Sequence, residues 1–390
     1  MAGYLGRVKI HRRKSDQGLD RRLFLGAAAG AVAWGCGGLA LREGGAAPSA
    51  APPGRSAGRH GPIRIGQNEN PYGPSPAALA AIQNAVAETY RYTDFEDELL
   101  AAIAARHGVT AEHVILGTGS YGVLIASVAA IVERGTETIV PQPVYAAVER
   151  HAETLGPVTR VPLDRSLRHD LDATAAALRP ATRLVYVCNP NNPAGTLVPP
   201  ADLRAFCRRH AERATILVDE AYAEYVPGFE SMDSLVRDGV PILVTRTFSK
   251  LYSLAGLRIG YGIAPPKLAT AVRVARGVDD LCWVSRAGTR AAIESLGDAG
   301  YVPSIQRDVA RERARLVSAL ERHGLTVPAP VANFVFFRHR RPEALKAALA
   351  ARGVLISAHD RNGGCRISIG LPSDMSVAIE TLAAVLPGLS

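Results

Sequence analysis

Lysine is nearly absent from this chain. Only Lys9, Lys14, Lys250, Lys267 and Lys346 occur among 45 basic residues, so the other 40 are arginines. Chemistry that needs an amine therefore has very few places to occur. Cysteine is sparse as well. Cys36, Cys188, Cys207, Cys282 and Cys365 include no Cys-x-x-Cys pair, which argues against a zinc ribbon or a thioredoxin-like site. No metal site is expected. The last four read as buried thiols, with one disulfide left open for an oxidising compartment. No Gly-x-Gly-x-x-Gly follows an apolar strand, so a Rossmann dinucleotide site has no support. Internal repeats are missing too, and residues 1–60 hold no helix-turn-helix pattern.

What is present suits a globular enzyme. The 390 residues are 47% hydrophobic and 21% charged, enough for a large core and more than one domain. The formal charge of +9 is concentrated at one end. Residues 1–60 carry ten Lys/Arg against three acids, which leaves the remainder near neutral and argues against nucleic acid as a partner. Within that end, Arg21-Arg22-Leu23-Phe24-Leu25 precedes a Gly/Ala-rich apolar run over 23–41 and an Ala/Pro/Gly/Ser-rich linker. The pattern resembles a twin-arginine export signal, with Asp20 where Ser or Thr is usual. It implies the twin-arginine machinery as a partner and a periplasmic or other extracytoplasmic location. An uncleaved signal acting as a membrane anchor stays open.

From Asn68 onward short apolar runs alternate with helical segments. Strands are expected at 114–116, 137–140, 183–188, 216–219, 242–245 and 258–263, with a crossover helix at 201–213. That alternation implies an α/β domain with a mostly parallel sheet covered on both faces. After Pro265 long Arg/Ala helices (267–276, 286–296, 304–323) lead to strands at 334–337, 354–356 and 366–369 and a closing helix at 375–385. The expected division is a leader and linker (1–60), an N-terminal arm (61–90), a large domain (91–265) and a smaller C-terminal α+β domain (266–390).

Several clusters at strand ends carry chemistry. Thr247-Phe248-Ser249-Lys250 ends one strand, and Arg258 follows eight residues later. An amine attacks a carbonyl only when neutral, and burial beside a cation lowers its pKa. The two hydroxyls and the guanidinium match a phosphate dianion. Asp219-Glu220-Ala221-Tyr222 ends another strand. A carboxylate there could hold a pyridine nitrogen protonated, and Tyr222 could donate to a ring oxygen. The Asn/Pro-rich turn from Asn189 to Thr196 could aim an amide into the same edge. Gly117-Thr118-Gly119-Ser120 offers backbone N–H groups at a helix start. Tyr145 could stack on a flat ring. Arg366, among apolar strand residues, needs an anion.

Taken together these motifs resemble the class I/II aminotransferases of pyridoxal 5'-phosphate (PLP) fold type I, and most of all the histidinol-phosphate aminotransferase branch. The resemblance spans nearly everything after Asn68 and also includes Asn68-Glu69-Asn70-Pro71-Tyr72-Gly73 and Arg91-Tyr92. It implies a PLP-transferase fold, with Lys250 holding the cofactor covalently and then shuttling the proton. Asp219 would pair with the ring nitrogen, Asn192 and Tyr222 with the ring hydroxyl, and Tyr145 with the ring face. Gly119, Ser120, Tyr121, Thr247, Ser249 and Arg258 would hold the phosphate. Tyr92 would reach the phosphate in the other subunit of a homodimer. Arg366 would bind the substrate, with Asn70 and Tyr72 beside it. The implied reaction moves an amino group from an amino acid or amino-alcohol phosphate to a 2-oxo acid. The alternative is a related PLP-dependent amino-acid phosphate decarboxylase or other lyase. Departures from the family pattern are Tyr121-Gly122 in place of an acidic pair, Thr93 after Arg91-Tyr92, Ala194, and Val148. A further one is Ser357, where the histidinol-phosphate branch carries an arginine that helps hold the substrate phosphate. Arg361 and His359 are the nearby residues that could compensate.

Overall fold

The computed structural model describes residues 61–93, 96–277, 284–359 and 363–389. The leader expected over 1–60, Cys282 and Arg361 lie outside those residues. The strands are β1 (Ile63–Arg64), β2 (Val114–Thr118), β3 (Glu137–Gln142), β4 (Val158–Pro162), β5 (Thr182–Cys188), β6 (Thr215–Asp219), β7 (Ile242–Thr247), β8 (Ile259–Ile263), β9 (Phe334–Arg338), β10 (Val354–Leu355), β11 (Ser357–His359) and β12 (Gly364–Ser368).

Seven of them form one sheet in the order β2-β8-β7-β6-β5-β3-β4. The central strands are apolar on both faces, as a covered parallel sheet requires. Their side chains divide with a period of two. Val185, Val187, Ile216, Val218, Ile242 and Val244 enter one core, which also holds Leu203 and Phe206 of the helix Pro200–His210. Leu184, Tyr186, Leu217 and Leu243 enter the other, beneath the helices Gly119–Ile131 and Pro266–Arg276. Ligands of such sheets bind outside the carboxyl ends of the strands.

One strand breaks the parallel rule, and that break builds half of the site. β8 runs antiparallel between β2 and β7. Its first residues therefore meet the carboxyl ends of both neighbours. Arg258, immediately before β8, is brought between the turn after β2 and the turn after β7. Gly260 sits opposite both Gly117 and Thr247 in register.

A three-stranded antiparallel sheet, β11-β12-β9, forms a second layer with the helices Tyr301–Arg322, Pro342–Ala350 and Pro372–Val385 packed nearby. The short β1 of the arm pairs in parallel with β10, so residues 63–64 join the C-terminal part of the chain. One strand expectation differs from what is found. The run at 354–356 divides in two, because Val354 and Leu355 pair with β1 whereas Ser357–His359 turn to pair with β12. The edge strand β4 had no clear signal in Val-Thr-Arg-Val-Pro, which is buried only at Val161. Cys188, Cys207 and Cys365 are all buried thiols.

Candidate active site

The carboxyl ends of β5, β6 and β7 open on a cleft of about 1160 Å³. Ser120, Tyr121, Tyr145, Asn192, Asp219, Tyr222, Thr247, Ser249, Lys250, Arg258 and Arg366 all line it. These residues lie up to 246 positions apart in sequence, as Ser120 and Arg366 do. Not every expected residue is there. Asn70 donates its amide to Leu251 O at 2.6 Å and lies behind the cleft wall. Tyr72 is half-buried elsewhere, with a hydroxyl lacking a partner among the described residues. Burial and the nearby Asp308 raise its pKa to about 12. Tyr92 is 81% exposed and does not enter this chain's own cleft.

At one end is an anion cradle. The helix Gly119–Ile131 starts here, with Ser120 and Tyr121 lining the cleft, whereas Gly119, expected at the phosphate, is not among the lining residues and gives its N–H to Arg258. Arg258 holds a left-handed backbone (φ 57°), unusual for a bulky residue. Its carbonyl accepts from Gly119 N at 3.0 Å. Its guanidinium donates to Ala255 O at 2.9 Å and Thr118 O at 3.2 Å. Thr247 Oγ1 lies 2.9 Å from Ser249 Oγ. Gly260 makes this packing possible: a Cβ there would come within 2.2 Å of Ser120 N.

At the centre is Asp219, buried. Tyr186 OH and Thr245 Oγ1 donate to its two oxygens at 2.9 and 3.0 Å. Burial raises its pKa, and these hydrogen bonds oppose the rise. No cation touches it among the described residues. Beside it, Tyr222 OH accepts from Asn192 Nδ2 at 3.2 Å and from Asn68 Nδ2 at 3.0 Å. Lys250 Nζ stands 5.8 Å from the Tyr222 ring centre and donates to Gln67 O at 3.3 Å. Burial lowers the Lys250 pKa to about 8, with the cation of Arg366 next in effect.

At the far end is Arg366, buried on β12. It donates to Asn192 Oδ1 at 2.5 Å and to Gly66 O at 2.9 Å. Its Nε is buried without a partner among the described residues. Burial lowers its pKa, opposed by Tyr222. This is a cation awaiting an anion.

The residues fit PLP. The cradle matches a phosphate, and the cation-free Asp219 matches a protonated ring nitrogen. The Asn192–Tyr222 pair matches a ring hydroxyl, and the amine of Lys250 matches the aldehyde. Tyr145, 40% exposed at the cleft wall, is free to cover a ring face. Sequence reasoning missed Tyr186, Thr245 and Gly260, and it quoted Asn68 only as part of a motif, without its bond to Tyr222. Thr245 flanks Asp219 because β6 and β7 pair in register, which the sequence alone does not disclose.

Comparison with known proteins agrees. Residues 61–382 match the family model described as aminotransferase class I and II. The chain is 35% identical to a histidinol-phosphate aminotransferase of Jannaschia sp., covering 89% of this chain and 96% of that protein. It is 38% identical to an aromatic amino acid aminotransferase of Thermobifida fusca, covering 86% and 92%. The solved histidinol-phosphate aminotransferase of Sinorhizobium meliloti, in complex with pyridoxal-5'-phosphate, superposes with a TM-score of 0.77 at 30% identity, covering 84% and 92%. The chain belongs to the class I and II aminotransferases and works as a PLP-dependent enzyme of that family.

Proposed function

We propose that the amino donor is an α-amino acid anchored by its carboxylate on Arg366, and not a phosphate ester. The observation that carries this is the residue facing Arg366. Ser357 on β11 pairs with it across the strands, and Ser357 Oγ lies 3.3 Å from His359 Nε2. Burial, with Arg366 beside it, lowers the His359 pKa to about 4, so its ring is neutral at pH 7. Among the described residues Arg366 is the guanidinium at this strand pair, and one guanidinium balances a carboxylate. A phosphate monoester, with up to two negative charges, calls for more. The acceptor is a 2-oxo acid, which presents the same carboxylate.

Bound PLP supplies the electron sink for the pair left at the substrate Cα when its proton departs. Asp219 keeps the ring nitrogen protonated, because a buried carboxylate favours a neighbouring positive charge. Ser120, Thr247, Ser249 and Arg258 hold the phosphate, while Asn192 and Tyr222 fix the ring hydroxyl. With the cofactor bound, Lys250 Nζ would be the base that takes up the substrate Cα proton and releases it again. Tyr92, exposed on this chain, serves the site of a second subunit in a homodimer.

The test compares kcat/KM for L-phenylalanine and L-histidine with that for L-histidinol phosphate. The amino acids should be preferred. Ser357→Arg should shift the ratio toward the phosphate ester by about 10- to 100-fold, the worth of one charge-assisted hydrogen bond. A native preference for the phosphate ester would overturn the reading.

Export by the twin-arginine route is part of the same proposal, supported by Arg21-Arg22 and the apolar run after them. Replacing both arginines with lysine should retain the protein in the cytoplasm. Undiminished export of that variant would remove the proposal.

A further inference from the structure

A second cavity, of about 1580 Å³, lies on the other side of the turn that carries Asn192. Its floor is apolar, with Leu163, Leu197, Leu325, Val331 and Leu389 among its residues. Its rim is basic: Arg165, Arg168, Arg338 and Arg340 surround it. None of these four guanidinium groups makes an ion pair or hydrogen bond among the described residues. Other surface arginines are matched, as Arg160 is by Glu149 and Glu153 and Arg311 is by Asp308. Among the described residues the one carboxylate on the rim is Asp164, whose Oδ1 accepts from the backbone N–H groups of Ser166 and Arg168 at 2.7 and 2.8 Å. An apolar hollow with unmatched guanidinium groups around its mouth suits a ligand with an apolar body and an anionic head.

The cavity shares a wall with the active site. Asn192 and Pro193 line the cleft, whereas Thr196, Leu197 and Pro199 line the cavity. The turn between them is tightly bonded. Asn191 N donates to Thr196 O at 2.9 Å, and Gly195 N donates to Asn191 O at 2.8 Å. Two of its bonds run into the cavity wall: Thr196 Oγ1 to Leu167 O at 2.5 Å, and Val331 N to Gly195 O at 2.8 Å. Leu167 holds a left-handed backbone (φ 56°), which a leucine adopts only when its surroundings enforce it. Arg338 lies opposite Gly364 on the strand that carries Arg366. A ligand that moves either wall therefore moves the groups that hold Asn192 and Arg366.

We propose that this cavity is a second ligand site for an organic anion with an apolar body, such as an aromatic or acyl carboxylate, phosphate or sulfonate, and that its occupancy alters substrate binding through the turn at 191–196. The probe is 8-anilinonaphthalene-1-sulfonate, titrated by fluorescence into the PLP-loaded enzyme. Saturable binding is expected, at least tenfold tighter than that of the uncharged N-phenyl-1-naphthylamine. The double variant Arg168→Glu/Arg338→Glu should bind the probe at least tenfold more weakly yet keep its transaminase activity. If charge reversal impairs folding, Arg165→Ala/Arg340→Ala provides the same test. Saturating probe should change KM for the amino donor in the wild type and not in the variant. Absent or non-saturable binding, equal affinity for the uncharged analogue, or undiminished binding by both variants would overturn the site. Equal inhibition of wild type and variant would place the probe in the catalytic cleft and overturn it as well. Binding without any change in KM would overturn the coupling.

Discussion

Asp219 and Glu220 are neighbours in sequence, both are buried, and their surroundings differ completely. Glu220 faces Arg246, which donates Nε to it at 2.9 Å and NH1 to Glu224 at 2.8 Å. Ser231 Oγ and Met232 N complete its partners at 2.7 and 2.8 Å. The two glutamates hold the Arg246 guanidinium firmly charged against the cost of its burial. Asp219 has only two hydroxyls and a backbone N–H. The same contrast separates two arginines. Arg246 is matched by two carboxylates, while Arg366 keeps a buried Nε with no partner among the described residues. A buried charge with its counter-ion in place is architecture. A buried charge without one is a site kept ready for a ligand, because its desolvation goes uncompensated until that ligand arrives.

That contrast can be broken by mutation. Asp219→Ala should cut kcat/KM by about 10- to 1000-fold, the effect of losing one to three pKa units of support for the ring nitrogen. Its apoprotein should lose no more than about 1–3 kcal/mol, since the hydroxyls of Tyr186 and Thr245 lose an acceptor but no ion pair is broken. Arg246→Met should do the reverse. Two buried glutamates lose their cation, so stability should fall by about 3–5 kcal/mol. The fraction that remains folded should turn over at roughly the native rate. Denaturant melts and steady-state kinetics on both variants decide the matter. A stable, inactive Arg246→Met or an unfolded, active Asp219→Ala would abolish the distinction.

The sequence made the chemistry legible where it stands at strand ends. Lys250 could be singled out because lysine is so rare, and Asp219 because an apolar strand delivers it to the sheet edge. What lay hidden depends on strand order. That Thr245 would flank Asp219 follows from β6 and β7 being neighbours in register. That Tyr186 would reach Asp219 follows from β5 lying on the other side, where Cys188 is its opposite residue. Gly260 reads as an ordinary strand glycine until β8 is known to run antiparallel against the phosphate turn. Asn70 shows the limit from the other direction. A motif in an irregular arm does not reveal which way its side chain points, and this one points to Leu251 O.

The most direct test of the central assignment is borohydride trapping across pH after the apoprotein meets PLP, followed by peptide mapping. Lys250 Nζ must be neutral to bond the cofactor. Its lowered pKa means that the neutral fraction falls about tenfold per unit below pH 8 and levels off above it. For brief exposure of the apoprotein to PLP, we expect one pyridoxyl adduct, on the peptide containing Lys250, whose initial rate of formation rises with pH to a midpoint near 8. An adduct on Lys267 or Lys346 instead, or a midpoint near the ordinary lysine value, would contradict the account.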